Sequence, residues 1–288
     1  MLPILFGLLT SLCFAIASLL AQRGYHQGPA PWGAWITIAG NCVFLLAGHF
    51  LLESNTRLLV VDNLIFVVVG LLVPGATRVL SFRGIRTMGS AVTSTIINTT
   101  PMFSTVLAVL VLGERPGPLV LLGVALTVGG LITVSWVGRQ ATFKKIELIY
   151  PFSCALIFSL KDVTVRWGLA DGGGQPVLAA GIAALTSTIT IFFITRWFQR
   201  EKFVLPPAKV LWWFVWSGIF TGGSFLFMYV ALSIERVTIV APLFNSYAIF
   251  VLLLTPFMAR RIESITWRKV AGAALVVAGI FLVSIGKD

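Results

Sequence analysis

The chain has 288 residues, of which 58% are hydrophobic and only 11% are charged, and its mean hydropathy is +0.97. A soluble domain carries about 25% charged residues, so these values exclude a protein whose whole surface faces water, and lipid must cover much of it. The net charge of +11 does not indicate nucleic-acid binding, because Lys and Arg are scattered between apolar blocks and form no basic patch.

Apolar stretches long enough to cross a bilayer recur ten times along the chain. A helix needs about 20 such residues for a hydrocarbon core of about 30 Å. Short breaks rich in Gly, Pro or charge separate the stretches, so we expect no extramembrane domain. The sequence therefore predicts an all-α integral membrane protein with ten transmembrane helices. The predicted spans are 2–22, 32–52, 60–85, 89–112, 118–137, 146–168, 177–197, 208–233, 237–258 and 267–286.

The two halves of the chain resemble each other. At an offset of 149 residues the fifth and tenth spans align without a gap, and "SLCFAIASLLAQRG" resembles "ALIFSLKDVTVRWG" at an offset near 144. We predict two five-helix repeats, 1–138 and 146–288. Because five is an odd number, the second repeat lies inverted relative to the first, with a central site at their interface. Identical residues at matching positions are Glu114 and Glu263, Gly123 and Gly272, and Gly130 and Gly279.

The last two spans of the first half carry a recognisable pattern, with a Pro inside the fourth span, Gly-Glu at its end and a Gly-rich fifth span. It occurs in "NTTPMFSTVLAVLVLGERPGPLVLLGVALTVGGLITV", and the second half departs from it with the earlier Pro242 and with Arg261-Ile262 before Glu263. The chain resembles the EamA-like ten-span members of the drug/metabolite transporter superfamily. The resemblance implies export or exchange of amino acids, related metabolites or drugs, through a cavity lined by the first, third, fourth and sixth spans and their counterparts.

The expected function is a secondary transporter that moves a small metabolite, an amino acid or a related amphipathic or anionic solute, by alternating access. The alternative is a flippase for a lipid-linked sugar or lipid headgroup, and an intramembrane enzyme is a more distant one. The sequence has no HExxH, no GxGD and no P-loop, so we expect no enzyme activity and no ATP hydrolysis. We expect no cofactor and no metal site, because the three cysteines lie in apolar blocks without CxxC spacing.

Lys161 and Asp162 are adjacent charges inside the sixth predicted span. Ionisable groups at membrane depth cost several kcal/mol unless they pair or face a cavity. One interpretation places them in the central cavity against a charged substrate group, or gives Asp162 a coupling proton. In the other they neutralise one another, or Lys161 extends towards the headgroups.

Other candidate substrate-binding residues lie on the spans that the resemblance assigns to the cavity. Arg78 in the third span could bind a carboxylate or phosphate with Lys161, or form an ion pair with Asp162. Phe82, Phe225 and Tyr229 would suit an apolar or aromatic substrate moiety, although packing or lipid contact is an alternative for each. Asn98 and Asn245 offer donors and acceptors near the midplane, or hold helices together.

Two prolines and two glutamates have predicted structural roles. Pro101 and Pro242 each remove a helical hydrogen bond and so predict hinges in the fourth and ninth spans. Glu114 and Glu263 begin the turns into the next helices, where a carboxylate can cap exposed N–H groups; proton coupling is the alternative.

The expected location is the cell (inner) membrane, as a multi-pass protein with both termini on one side. Fourteen Lys and Arg residues follow odd-numbered spans and five follow even-numbered spans or lie at the C-terminus, so the positive-inside rule predicts termini outside the cytoplasm. The family resemblance implies the reverse. Expected partners are a small-molecule substrate and membrane lipid, with no nucleic acid. A coupling proton or ion, and a monomer or a homodimer, stay open.

Overall fold

The computed structural model describes residues 2–52, 63–88, 90–135, 144–170, 175–258 and 267–286. These residues form helices joined by short turns, with no β-strand among them. The α-helices are α1 Leu2–His26, α2 Gly33–Leu52, α3 Leu64–Gly70, α4 Thr77–Met88, α5 Ser90–Ile97, α6 Thr100–Leu112, α7 Pro118–Ser135, α8 Ile149–Leu169, α9 Pro176–Phe193, α10 Ala208–Ile234, α11 Val237–Asn245, α12 Tyr247–Met258 and α13 Trp267–Ile285.

Irregular segments join or extend some of these helices. The segment Leu71–Ala76 connects α3 to α4 across a kink at Val73, whose φ of −129° and ψ of 118° are not helical. A π-helical segment, Ile194–Phe198, extends α9. The first contains Pro74, which has no N–H to donate to a regular helical ladder. Ser187 of α9 supports this irregular backbone, since its hydroxyl lies 3.0 Å from the carbonyl oxygen of Val73. A 3₁₀ turn, Lys145–Leu148, precedes α8.

Within the described ranges, eight segments are long and apolar enough to cross a membrane. Two further apolar helices, Pro118–Val134 and Val270–Ile285, are shorter. The ten segments lie at the ten positions predicted from the sequence and are called spans 1 to 10, although length and composition identify only eight as spans. The eight long segments are Leu2–His26, Gly33–Leu51, Leu64–Met88, Val92–Leu112, Lys145–Leu169, Pro176–Trp197, Ala208–Ile234 and Val237–Thr255.

The packing of α7 against α13 shows how the two halves are related. A Cβ added to Gly123 would lie 2.6 Å from the carbonyl oxygen of Gly279, and one added to Gly130 would lie 2.6 Å from that of Gly272. The numbering rises along one helix as it falls along the other, so the helices are antiparallel. Each contact is the other shifted by the sequence offset of 149, since Gly123 corresponds to Gly272 and Gly130 to Gly279. Two equivalent contacts between antiparallel helices are related by a two-fold axis perpendicular to both helices. This is the inverted repeat that the sequence predicted.

The remaining helices of the two halves interlock. Span 1 packs on span 8, and span 6 packs on span 3, so corresponding helices exchange partners between the halves. Small residues allow close approach on both sides of the axis. A Cβ on Gly218 of α10 would lie 2.7 Å from the carbonyl oxygen of Thr37 in α2, and a Cβ on Gly70 of α3 would collide with the carbonyl oxygen of Ala183 in α9. The buried core therefore includes helices of both halves.

Candidate functional site

Lys161 and Asp162 form a buried ion pair in α8. The ammonium nitrogen of Lys161 lies 2.6 Å from Oδ1 of Asp162, and both side chains are almost fully shielded from solvent. Ser104 of α6 donates a hydrogen bond of 2.8 Å to Oδ2 of the same carboxylate. Lys161 therefore does not extend to the headgroups, and the two charges neutralise one another inside the protein. One partner, Ser104, comes from the first half of the chain.

The ammonium group of Lys161 also contacts two residues of spans 8 and 9. It lies 3.4 Å from the sulfur of Met228 in α10 and 5.3 Å from the ring centroid of Phe244 in α11. The aromatic face attracts a cation, which supplements the ion pair in a region without water-exposed surface. The pair therefore lies where spans 4, 6, 8 and 9 meet, and these spans include members of both repeats.

Two of the predicted aromatic residues lie beside this junction. Tyr229 of α10 is fully buried, and its hydroxyl has no hydrogen-bond partner in the part of the chain that the structure describes. The ring of Phe225, half-buried, lies 6.4 Å from the ring of Tyr229. A buried phenol without a partner is unusual, because buried polar groups are nearly always hydrogen-bonded. Tyr229 thus offers a free polar group next to the Met228 that contacts Lys161.

Span 4 is broken next to Pro101. Helix α5 ends at Ile97 and α6 begins at Thr100, so Pro101 is the second residue of α6. The break exposes carbonyl groups that would otherwise accept helical hydrogen bonds. Thr100 donates its hydroxyl proton to the carbonyl of Ile97 at 2.6 Å, and Ser159 of α8 lies 3.1 Å from the carbonyl of Thr100. Asn98 lies in the break itself and is half-buried.

Span 9 is broken at Ser246, between α11 and α12, within two residues of the position that corresponds to the break in span 4. Ser11 of α1 supports this break, with its hydroxyl oxygen 2.6 Å from the carbonyl oxygen of Leu243 and 3.2 Å from the hydroxyl of Ser246. Pro242 lies inside α11, one turn before the break. Asn245 donates its amide to the carbonyl of Ala241 at 2.9 Å, so that amide nitrogen serves its own helix.

Arg78 and Phe82 both belong to α4. Arg78 is half-buried. Lys161 and Ser104 hold the two oxygens of the Asp162 carboxylate, and the role of Arg78 stays a prediction. The side chain of Phe82 lies outside the described part of the structure. The structure thus brings Lys161, Asp162 and Tyr229 to one junction, whereas it places Asn98 and Asn245 at the two helix breaks.

Glu114 caps a helix, but not the next one along the chain. Its two carboxylate oxygens accept hydrogen bonds from the backbone N–H groups of Val237 at 2.8 Å and Thr238 at 3.0 Å, at the start of α11. Gly113, with a φ of +67°, ends α6 in a left-handed conformation that glycine adopts without strain and turns the chain towards this contact. Glu114 therefore joins span 4 to span 9 of the other half. Glu263 lies outside the described residues.

Several residues of the site were not found from the sequence. Ser104, Met228 and Phe244 contact the ion pair, and Ser11 supports the break in span 9. Ser104 follows Pro101 by one helical turn, a spacing that could have placed it beside the break in span 4. Met228 and Phe244 are ordinary apolar residues of long apolar helices and carry no such signal.

Comparisons with known proteins agree on the fold. No curated protein matches the chain. Among solved structures, 28 chains match, and one of them, described only as a crystal structure of a protein, superposes with a TM-score of 0.80 at 16% sequence identity. That match covers 98% of this chain and 98% of the other. At so low an identity the likeness establishes the fold alone.

A family profile covers both halves. The profile that describes the EamA-like transporter family matches residues 1–136 and again residues 145–285, so each half of the chain carries the pattern once. This double match agrees with the two-fold relationship between α7 and α13 and with the apolar helices that can cross a membrane. The chain is therefore a multi-pass membrane protein that belongs to the EamA-like transporter family.

Proposed function

We propose that this protein is a secondary transporter that moves a small metabolite across the membrane by alternating access. Membership of the EamA-like family supports a membrane transporter of small solutes. The observation that carries the finer proposal is the Lys161–Asp162 pair, which lies where helices of both halves meet. In our proposal all ten spans cross the bilayer, and the moving bodies are the repeats 1–138 and 146–288.

The chemistry of the pair favours a zwitterionic substrate, such as an amino acid. Lys161 offers a cation and Asp162 an anion within 2.6 Å, and their sum is neutral. A carboxylate on the substrate would bind Lys161 while an ammonium group would bind Asp162, so the site would stay neutral. A singly charged solute would instead leave one net charge at membrane depth, which costs several kcal/mol. Phe244, Phe225 and Tyr229 would contact the rest of the molecule.

The helix breaks support a mechanism for opening. Spans 4 and 9 are interrupted within two residues of equivalent positions, and Ser159 and Ser11 hold the two breaks to spans 6 and 1. In our proposal the segments on either side of each break tilt about these points as the halves rock. Pro101 and Pro242 act as the hinges, since each lacks the N–H that would make its helix continuous. The contact from Glu114 to α11 would break when its end of the protein opens.

The test is counterflow of labelled amino acids in proteoliposomes. The double variant Lys161→Gln/Asp162→Asn removes both charges and keeps a polar side chain at each position, so we expect a folded protein without transport. The matched control is Glu201→Gln/Lys209→Gln, which removes one anion and one cation from exposed positions and should transport normally. Size-exclusion chromatography and thermal unfolding establish that each variant is folded.

Three outcomes would contradict the proposal. Normal transport by the neutral double variant would show that the charged pair does not bind the substrate. Translocation of a fluorescent headgroup lipid, without movement of any solute, would favour the flippase. Wild-type vesicles that move neither solutes nor lipids would contradict transport as the function.

A further inference from the structure

A second cluster of charges lies at one end of the helices, away from the Lys161–Asp162 pair. Arg115 in the turn between α6 and α7, Arg166 near the end of α8 and Arg236 between α10 and α11 line one cleft with a volume of about 560 Å³. The three arginines come from three separate segments and from both halves of the chain. The other lining residues are Val111, Leu112, Gly113, Glu114, Trp167 and Ala170.

Among the described residues that line the cleft, positive charges outnumber negative ones. Glu114 is the one acidic residue among them, and both oxygens of its carboxylate already accept hydrogen bonds from α11. Arg115 and Arg236 are exposed, and neither guanidinium has a carboxylate partner among the residues that the structure describes. The result is a concave site with an excess of cationic groups.

Arg166 is held in a fixed position. One of its guanidinium nitrogens donates to the carbonyl oxygens of Leu232 at 2.8 Å and Ser233 at 2.9 Å, at the C-terminal end of α10. The guanidinium has five N–H donors, so this contact leaves donors available on its other edge. A planar group anchored in this way is prearranged for a phosphate or carboxylate, which arginine binds in a bidentate geometry.

The charge distribution of the whole chain makes this cluster unusual. Only five Lys and Arg residues lie on this side of the predicted membrane topology, against fourteen on the other, and three of the five line this cleft. Such a grouping is repulsive unless an anion binds between the arginines. Glu114 is the one carboxylate among the described lining residues, so three cationic groups face a single anion there.

The surroundings of the cleft place it at headgroup depth. Val111 and Trp167 line it and expose 61% and 65% of their surface, respectively. Tryptophan is enriched at the boundary between headgroups and hydrocarbon, and an exposed Val beside it suits an acyl chain. A soluble anion would bind the arginines but would make no contact with the apolar side chains of Val111 and Trp167.

We propose that the cleft formed by Arg115, Arg166 and Arg236 binds the phosphate headgroup of an acidic phospholipid. The phosphodiester contacts the three guanidinium groups, and an acyl chain lies against Val111 and Trp167. Because Arg115 belongs to the first half and the other two arginines to the second, the bound lipid stabilises the arrangement in which this end of the protein is closed.

Lipid binding to the purified, delipidated protein tests this proposal, measured by native mass spectrometry and thermal unfolding. The lipids are phosphatidylglycerol and phosphatidylcholine, and inorganic phosphate is added alone in a third arm. We expect phosphatidylglycerol to bind and stabilise, and the other two to have little effect. The double variant Arg115→Gln/Arg236→Gln should bind phosphatidylglycerol about 30-fold more weakly, at about 1 kcal/mol for each basic residue near a charged surface.

The matched control is Arg86→Gln/Arg196→Gln, which also removes two exposed arginines but from the opposite end of the protein. It should bind phosphatidylglycerol as tightly as the wild type. An equal loss of phosphatidylglycerol affinity in both double variants, or no loss of affinity in Arg115→Gln/Arg236→Gln, would show that the cleft is not the lipid-binding site. If inorganic phosphate alone stabilised the protein as much as phosphatidylglycerol does, the cleft would be a site for a soluble anion, and the proposal of lipid binding would be contradicted.

Discussion

Glu114 Oε1 accepts a hydrogen bond of 2.8 Å from the backbone N–H of Val237, so the end of span 4 caps the helix that begins span 9. The two residues are 123 positions apart in the sequence and belong to different halves. Helix N-termini carry unsatisfied N–H groups and a partial positive charge, so a carboxylate there is stabilising. This contact ties the halves together at one end of the protein.

Replacing Glu114 by Ala should lower the free energy of unfolding by about 1–2 kcal/mol, the usual cost of losing a helix cap. Amide hydrogen exchange of the peptide that covers Val237 and Thr238 should become faster, because both N–H groups lose their acceptors. Glu114→Gln keeps one acceptor and should show a smaller effect. Glu201→Ala, at an exposed position, serves as the control; unchanged exchange in Glu114→Ala would show that the cap does not hold this end closed.

Replacing Lys161 alone by Ala should cost about 3–5 kcal/mol of stability, because it leaves the buried carboxylate of Asp162 without its cation. The double variant Lys161→Ala/Asp162→Ala should be more stable than Lys161→Ala, since no buried charge remains. The measurement is a double-mutant cycle of thermal or denaturant unfolding in detergent. Additive effects of the two substitutions would contradict the ion pair.

Gly123→Ala should separate α7 from α13 and cost about 1–3 kcal/mol, typical of an overpacked contact. The added Cβ would lie 2.6 Å from the carbonyl oxygen of Gly279, which is backbone and has little freedom to move. Gly129→Ala, six residues further along the same helix, meets nothing within 4 Å. That control should be neutral or stabilising by about 0.5–1 kcal/mol, since Ala favours a helix more than Gly does. Equal melting temperatures for the two variants would refute the close glycine packing.

The termini should lie outside the cytoplasm if the distribution of Lys and Arg sets the topology. A C-terminal alkaline phosphatase fusion should then be active, and a C-terminal green fluorescent protein fusion should be dark. Bright fluorescence with inactive phosphatase would instead place the termini inside, as the family resemblance implies.

The sequence predicted the helices and their inverted relationship because these depend on regular features. The spacing of apolar blocks defines the spans, and the matching of Gly123 with Gly272 reveals the duplication. Contacts between distant side chains have no such regularity. The sequence assigned Glu114 to the next helix, whereas it caps α11, because the left-handed turn at Gly113 brings the carboxylate to a helix that follows much later.

The sequence offered a Lys161–Asp162 pair as one interpretation but could not select it over its alternatives. Adjacent residues on a helix do not face each other, so an ion pair with Arg78 of another span was a reasonable alternative. The long, flexible side chain of Lys161 nevertheless folds back to Asp162, while Met228 and Phe244 occupy its other sides. Ser104, which lies 58 positions earlier on another helix, donates a hydrogen bond to the second oxygen of the Asp162 carboxylate.

The charged pair also breaks the symmetry that the fold otherwise maintains. At the offset of 144 that aligns span 1 with span 6, the residues opposite Lys161 and Asp162 are Ala17 and Ser18, which carry no charge. A ligand held through that pair, with Phe225, Tyr229 and Phe244 around the rest of it, would therefore stay attached to the second half throughout a rocking cycle. Duplication followed by divergence would in this way place the charged binding groups of a two-fold symmetric fold on one repeat alone.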